Sequence, residues 1–468
     1  MSSVITAPTY DPTSTATALA QKYTSQLQTQ LTTQTNDANA TATALTQLGS
    51  AISTFQGSLA SLGGLGKSML AQSATSSDST ISASAKSSAA DGSYSLYVQQ
   101  VATAGQASYN MLSNTSTPGG SLTVKVGGSQ FTVNLADTDN DHYVSVREIA
   151  AAINSNAGNT GLVSAGVVSV PYTDSNGNPA VDTRLVLTSK NTGAANTISL
   201  DTTLVGDTTL KSGLTAPTTA TAGQDAIVYL GDVSAANKVT QSSNTFTNID
   251  GVSFTVSGVP AADKNPVTLT VGGDTTGTTA NVQAFVDAYN KLKSTVDKML
   301  DPGDPANNTS AGAFAADSGV KALQTRLIDL LRPTVGGLSL ASYGITATRD
   351  GTLQLDSGRL AKQLAVNPDG LDQLMGSASA SSPSGVLGGL NKYLNLWSDS
   401  ATGQIKQRTS ANTKLQSDLT KRQTDVNDKY DAAYQRYLKQ FTALQTLQAT
   451  MNSNVSIFDA VFGSDKSS

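Results

Sequence analysis

The sequence predicts an α+β fold. Long N- and C-terminal helices pair as a coiled-coil rod and helical bundle, and a β-rich lobe of one or two subdomains is inserted between them. Three observations carry this reading. Residues 13 to about 62 hold a helical stripe whose second half is a heptad: Leu45, Leu48, Ile52, Phe55, Leu59 and Leu62. Residues 75–275 switch to short runs of period two. Residues 405–458 return to a long amphipathic helix. Each terminal stripe needs a partner to bury it, and pairing the two ends meets both needs.

In chain order, the first half of the N-terminal helix has a thinner stripe of Leu19, Tyr23, Leu27 and Leu31 among Thr and Gln. Such a seam is too weak to hold a helix alone. Gly63, Gly64 and Gly66 end the helix. Strand patterns follow at Tyr94-Leu96-Val98, Leu122-Val124-Val126, Phe131-Val133-Leu135, Phe254-Val256 and Val267-Leu269-Val271. Val167–Val170 and Arg184–Leu187 flank the turn residues Asp174-Ser175-Asn176-Gly177, which marks a hairpin. One helix is expected near 145–155, and the Gly/Thr-rich stretch 190–222 is the expected divider of the lobe. Helix returns near 278 with Val282, Phe285, Val286, Tyr289, Leu292, Val296 and Leu300, then with Val320, Leu323, Leu327, Leu330 and Leu331. Shorter pieces carry Leu360, Leu364, Leu371 and Leu374. The last helix carries Leu415, Leu419, Val426, Tyr430, Tyr437, Leu444, Leu447, Met451, Val455 and Phe458. The domains expected are 1–42, an N-terminal leg ordered by assembly; 43–74 with 275–404, a helical bundle; 75–274, the β-rich head; and 405–468, a C-terminal leg.

Composition excludes several function classes. The net charge of -5 argues against a nucleic-acid binder, which needs a basic face. No apolar run approaches the roughly 20 residues that cross a bilayer. Met1 to Asp11 has neither a basic region nor an apolar core, so no secretory signal peptide is expected there. With no cysteine and one histidine, neither a disulfide framework nor a Ser-His-Asp or Cys-His arrangement can be assembled convincingly. Leu62-Gly-Gly-Leu-Gly66-Lys67-Ser68 imitates the end of a phosphate loop, but Ser61 stands where the first glycine belongs and no strand precedes it. Asp301 and Asp304 sit in Pro/Gly turns as turn formers. The chain reads as a non-enzyme.

One constellation can carry chemistry. Asp137, Asp139, Asp141, Tyr143, Ser145 and Glu148 fall at positions 1, 3, 5, 7, 9 and 12 of a calcium loop, with a helix to follow. Glu148 is the only Glu among 34 acidic residues, at the position that needs the longer carboxylate. Against a structural Ca²⁺, His142 stands at position 6, where a glycine belongs, and Ser145-Val-Arg-Glu148 is a capping box that explains the Glu without metal. The capping box is the preferred reading, and no cofactor is expected.

Six segments in order resemble a known family. They are Gly92-Ser-Tyr-Ser-Leu-Tyr-Val-Gln-Gln-Val-Ala-Thr-Ala104, Gly223-Gln-Asp-Ala226, Ser243–Val256, Phe285-Val-Asp-Ala-Tyr-Asn290, Ser342-Tyr-Gly-Ile-Thr346 with Asp350-Gly-Thr-Leu-Gln-Leu-Asp356, and Arg436-Tyr-Leu-Lys-Gln-Phe441. Together they resemble the flagellar filament-capping family, hook-associated protein 2. The resemblance implies a homo-oligomeric ring at the flagellum tip, outside the cell, exported unfolded without a cleaved signal peptide. It implies flagellin and hook–filament junction proteins as partners, with an export chaperone at the C-terminal helix. That helix carries eight Lys/Arg and four Asp from Lys406 to Lys439, which by themselves read as a solvated face. The expected assembly interface is Leu19, Tyr23, Leu27 and Leu31 with Tyr437, Phe441, Leu444, Leu447, Met451 and Phe458. The competing readings are a surface adhesin acting through the β-rich head, and another axial subunit of the flagellum.

Overall fold

A computed structural model describes residues 11–110, 112, 120–335 and 337–462. The outermost parts of the two expected legs, 1–10 and 463–468, lie outside the described residues, as does nearly all of the segment read for a signal peptide. The chain forms two units, one made of Met1–Met69 with Thr279–Ser468, the other of Leu70–Thr278.

The first helix, α1, runs Pro12–Gly63. Asp11 caps it by accepting the Ser14 N–H at 2.8 Å, and Pro12 occupies the first turn, where its missing N–H costs nothing.

Among its described residues the second unit is antiparallel β with two short α-helices. It opens with β1 (Ala71–Ser76), β2 (Ile81–Ala85) and β3 (Gly92–Gln100). The chain then builds a subdomain from β4 (Ala104–Tyr109), β5 (Ser121–Val126), β6 (Ser129–Asn134), α2 (Val146–Ser155), β7 (Val163–Thr173), β8 (Pro179–Thr192), β9 (Ile198–Asp201), α3 (Thr208–Thr215) and β10 (Thr219–Thr221). It returns through β11 (Ala226–Leu230), β12 (Lys238–Gln241), β13 (Thr245–Ile249), β14 (Val252–Val256) and β15 (Val267–Asp274). The first and last groups make sheets β1-β15-β3-β11-β12 and β13-β14-β2 over one core, in which Phe246 and Phe254 stack 5.1 Å apart. The middle group makes sheets β10-β4-β8-β7 and β6-β5-β9 over a second core of Leu122, Val124, Ile149, Ile153, Leu185 and Leu187.

So one subdomain is inserted in the other, and the stretch 190–222 is the inserted one's second half and not a divider. The outgoing and returning strands cross side by side: Thr103 and Gln224 exchange N–H···O bonds of 2.9 and 3.2 Å. Gly223 has no room for a side chain there, since a Cβ would lie 2.4 Å from the Gly193 carbonyl oxygen. Asn244 ties the crossing to the first subdomain, accepting from Ala102 N–H at 2.7 Å and donating to its carbonyl at 2.9 Å.

The helical unit resumes with α4 (Thr275–Leu300), α5 (Ser318–Asp329), the two-stranded β16 (Ile345–Ala347) and β17 (Leu353–Leu355), α6 (Ser357–Val366), α7 (Pro368–Met375), α8 (Gly385–Ser398) and α9 (Gln404–Phe462). The Leu45–Leu59 heptad is its core: Leu45, Leu48, Ile52, Phe55 and Leu59 are at most 1% exposed. Phe55 packs at 6.4 Å on Phe285 and 6.3 Å on Tyr289 of α4, an edge-to-face geometry in the second case. The Tyr289 hydroxyl is buried with no hydrogen-bond partner among the described residues. Tyr289→Phe removes that desolvated group without changing shape, so it is expected to raise stability by about 1 kcal/mol in denaturant unfolding.

Candidate assembly surfaces

The two terminal helices pair antiparallel. Gln28 and Gln423 exchange side-chain amide hydrogen bonds of 3.0 and 2.9 Å, and Asn412 donates to the Ala38 carbonyl at 2.9 Å. On α9 the buried row is Asn412, Leu419, Val426 and Ala433, every seventh residue. On α1 it is Ala16, Ala20, Thr24, Leu31 and Ala38. The expected stripe on this half of α1 is therefore corrected. Leu31 is 4% exposed inside an intrachain cluster with Ala38, Leu419 and Val426, so it is rod core. Leu19, Tyr23 and Leu27 lie on the flank and are exposed. Small residues face α9 because they let the two backbones approach, and the larger side chains are displaced sideways. Leu415 is likewise 45% exposed and outside the seam. Heptad spacing of Asn412, Leu419, Val426 and Ala433 was the available signal for this register, and reading large apolar residues alone misses it.

At its root α9 is pinned by Arg408, which donates to both Asp317 carboxylate oxygens at 2.6 and 3.1 Å and lies over the Trp397 ring. Asp317 also caps α5, and Arg408's hydrogen bonds are the main reason its carboxyl stays below the usual range.

Toward the other end, the Gln28–Gln423 register brings the start of α1 beside the Arg436–Lys439 turn. The Arg436 guanidinium lies 5.8 Å from the Tyr23 ring and 4.8 Å from that of Tyr437. Beyond this turn α9 runs on to Phe462 with no described segment of α1 beside it. The second heptad row of α9, Tyr430, Tyr437, Leu444, Met451 and Phe458, continues straight into this stretch. Tyr437 and Phe441 are half-buried, whereas Leu444, Leu447, Met451 and Phe458 are 44–65% exposed. No charged residue occurs from 440 to 458. The overhang is about 33 Å long at 1.5 Å per residue, and its described apolar side chains are largely exposed.

The 137–148 loop is built differently from a calcium cage. The oxygens of Asp137, Asp139 and Asp141 converge within 4.8 Å of one another. Their carboxylates, however, take backbone N–H groups: Asp137 from Asn140 and His142, Asp139 from Asp141, Asp141 from Tyr143. His142 adopts the left-handed φ of 72° that a glycine would supply. Glu148 is not among the three converging carboxylates. Its Oε1 accepts from the Thr138 N–H and hydroxyl at 2.5 and 2.7 Å, and its Oε2 from the Ser145 N–H and hydroxyl at 2.8 and 3.0 Å. Ser145 Oγ accepts the Glu148 N–H in return, which completes the capping box of α2. Ser145 and Glu148 are thus committed to the cap, Tyr143 has an exposed side chain, and Thr138 is a partner that sequence reasoning missed.

Burial alone would raise the Glu148 carboxyl, but the bonds from Ser145 and Thr138 outweigh it and hold the group at about 2. For Asp139 burial comes first and the neighbouring carboxylates add to it, so its carboxyl is raised. Glu148→Gln is expected to cost about 1–2 kcal/mol at neutral pH. A carboxyl held lower in the folded chain stabilises fully above its unfolded value of 4.5 and loses that contribution as pH falls toward 2. The gap between wild type and variant should therefore be flat above pH 4.5 and close below it; urea titrations at stepped pH check this.

Residues 9–105 match the N-terminus, and residues 223–453 the C-terminus, of the flagellar hook-associated protein 2 model. The chain is 32% identical over 391 residues to the lateral flagellar hook-associated protein 2 of Vibrio parahaemolyticus, covering 82% of this chain and 84% of that protein. The chain belongs to the flagellar hook-associated protein 2 family. A second relative, the B-type flagellar hook-associated protein 2 of Pseudomonas aeruginosa, is 30% identical over 429 residues, 87% of this chain and 86% of that one. Among solved structures, the D1-D2-D3 domains of the flagellar cap protein FliD from Escherichia coli superpose with a TM-score of 0.56 at 26% identity, covering 79% of this chain and 99% of that one. Hook-associated protein 2 is a family of structural flagellar cap proteins and not of enzymes. The two family matches end at 105 and resume at 223, which brackets the inserted subdomain of β4–β10. Among the described residues no helix is long and apolar enough to cross a membrane.

Proposed function

We propose that this chain is the structural cap at the flagellar filament tip, where it promotes insertion of exported flagellin and prevents its loss. The observation that carries the proposal is the α9 overhang: its heptad seam continues past the described residues of α1, with no charged residue from 440 to 458 and with Leu444, Leu447 and Met451 exposed. An ordered apolar stripe in water is favourable only if something later covers it. Copies of the chain supply that cover in a homo-oligomeric ring, using Phe441, Leu444, Leu447, Met451 and Phe458. Leu19, Tyr23 and Leu27 on the flank of α1, with Tyr437 of α9, add to this assembly surface. Flagellin and the hook–filament junction proteins are the partners at the tip, and an export chaperone takes the C-terminal helix beforehand. The protein works outside the cell, at the tip of the flagellum. The 137–148 loop serves as a capped turn; millimolar Ca²⁺ is expected to leave the melting temperature unchanged, because Glu148 must abandon four hydrogen bonds to become a ligand.

The test is complementation of a strain lacking its filament cap, in a host with matching flagellin. Long filaments and little free flagellin in the medium are the expected result. Normal export of the protein with no filaments would overturn the proposal.

A further inference from the structure

The helical unit carries an open groove of about 980 Å³ between α1 and α4, unrelated to the α9 overhang. Its floor is apolar: Ala44 and Phe55 from α1, Leu292 and Met299 from α4. The α1 rim is low and uncharged, with Thr43, Gln47, Ser50 and Thr54 exposed. Short side chains here leave space for a backbone to come close. The groove follows α1 from Ala40 to Ser58, about 27 Å, or five turns of a helix. An apolar trough of this length between two helices has the shape that a third helix fills.

The α4 rim selects the charge of that helix. Lys291 and Lys298 are both exposed there, two turns apart on the same side. No carboxylate lines the groove among the described residues. The contrast on the same helix is Lys293, which is 4% exposed and is consumed by Asp297 at 2.5 Å. The α9 overhang of a second copy brings no carboxylate from 440 to 458 to meet these two lysines.

We propose that this groove receives an amphipathic helix of a different protein, one with acidic residues along a flank of its apolar stripe. The apolar floor supplies affinity, and the two lysines set polarity and register. Like charges on the entering helix are rejected at the same two positions.

Two synthetic amphipathic helices of about five turns test this on the full-length protein. They share one Leu/Ala stripe and differ in carrying Glu or Lys on the flank. By fluorescence anisotropy at low salt, the Glu peptide should bind at least about tenfold more tightly than the Lys peptide. Lys291→Glu with Lys298→Glu should reverse the preference, and Ser50→Trp should block both peptides. These are surface changes, and circular dichroism melts verify that each variant is folded. Equal binding of both peptides, binding of neither, or a preference that survives the charge reversal overturns the proposal. So does sedimentation showing that the protein self-associates and that Ser50→Trp abolishes this, since the groove's occupant is then a second copy. Filament complementation is a separate readout, so failure here leaves the cap assignment intact.

Discussion

Cutting the chain after Gln440 should abolish filament capping and leave the fold unharmed. The removed stretch presents Leu444, Leu447, Met451, Val455, Phe458 and Val461 to solvent, so their loss exposes little that was buried. The intrachain seam ends before it, with Ala433 the last buried residue of its row. Calorimetry of the truncated protein should give a melting temperature within about 2 °C of full length, the shift that about 1–2 kcal/mol produces in a chain of this size. Complementation should fail, with monomeric flagellin in the medium and bald or short filaments. If the truncated protein caps normally, the overhang is not the assembly surface. If its melting temperature falls sharply, the overhang is part of the fold. A milder companion, Leu444→Asp with Met451→Asp, keeps the helix length and puts charge into the seam; it should fail in the same assay.

Gly223→Ala should be a severely damaging substitution in the β unit, costing about 3–4 kcal/mol. The added methyl would meet the Gly193 carbonyl oxygen at 2.4 Å, the Gly105 amide at 3.1 Å and the Thr103 carbonyl at 3.1 Å. All three are main-chain atoms where strands of the two subdomains cross, so no side chain can swing aside. Relief requires breaking the paired Thr103–Gln224 bonds, which leaves polar backbone groups without partners. The control is Gly128→Ala in the β5–β6 turn, where nothing lies within 4 Å of the new atom. Comparing the two by thermal unfolding separates a packing conflict from a general effect of replacing glycine. Similar melting temperatures would show that the crossing is pliable.

Much of this architecture was legible in the sequence because it rests on periodicity. The Leu45–Leu62 heptad marks a buried helix face, and the structure buries it from Leu45 to Leu59 and leaves Leu62 half-buried. The alternating runs at Leu122–Leu135 and Val267–Val271 mark strands, and Ser145-Val-Arg-Glu148 marks a capped helix. Four things were not legible, each for a physical reason. The insertion of one β subdomain in the other is a matter of where two distant strands, at Thr103 and Gln224, come together; local pattern carries no trace of that. The rod seam uses Ala16, Ala20 and Thr24, residues whose burial contributes little hydrophobic energy and leaves no strong stripe. Leu19, Tyr23 and Leu27 dominate the pattern there yet point aside. The fate of Glu148 turned on Thr138, ten residues earlier, whose two donors decide between cap and cage. The Arg408–Asp317 pair joins positions 91 residues apart and was equally out of reach.

The bare stretch of α9 from 440 to 458 also fixes how its contacts respond to the surroundings. Without a charged side chain, no part of its association is exposed to ionic screening, so brine and fresh water should be nearly equivalent to it. Apolar burial instead weakens on cooling. A cap held this way should tolerate wide swings in salinity and loosen most readily near freezing.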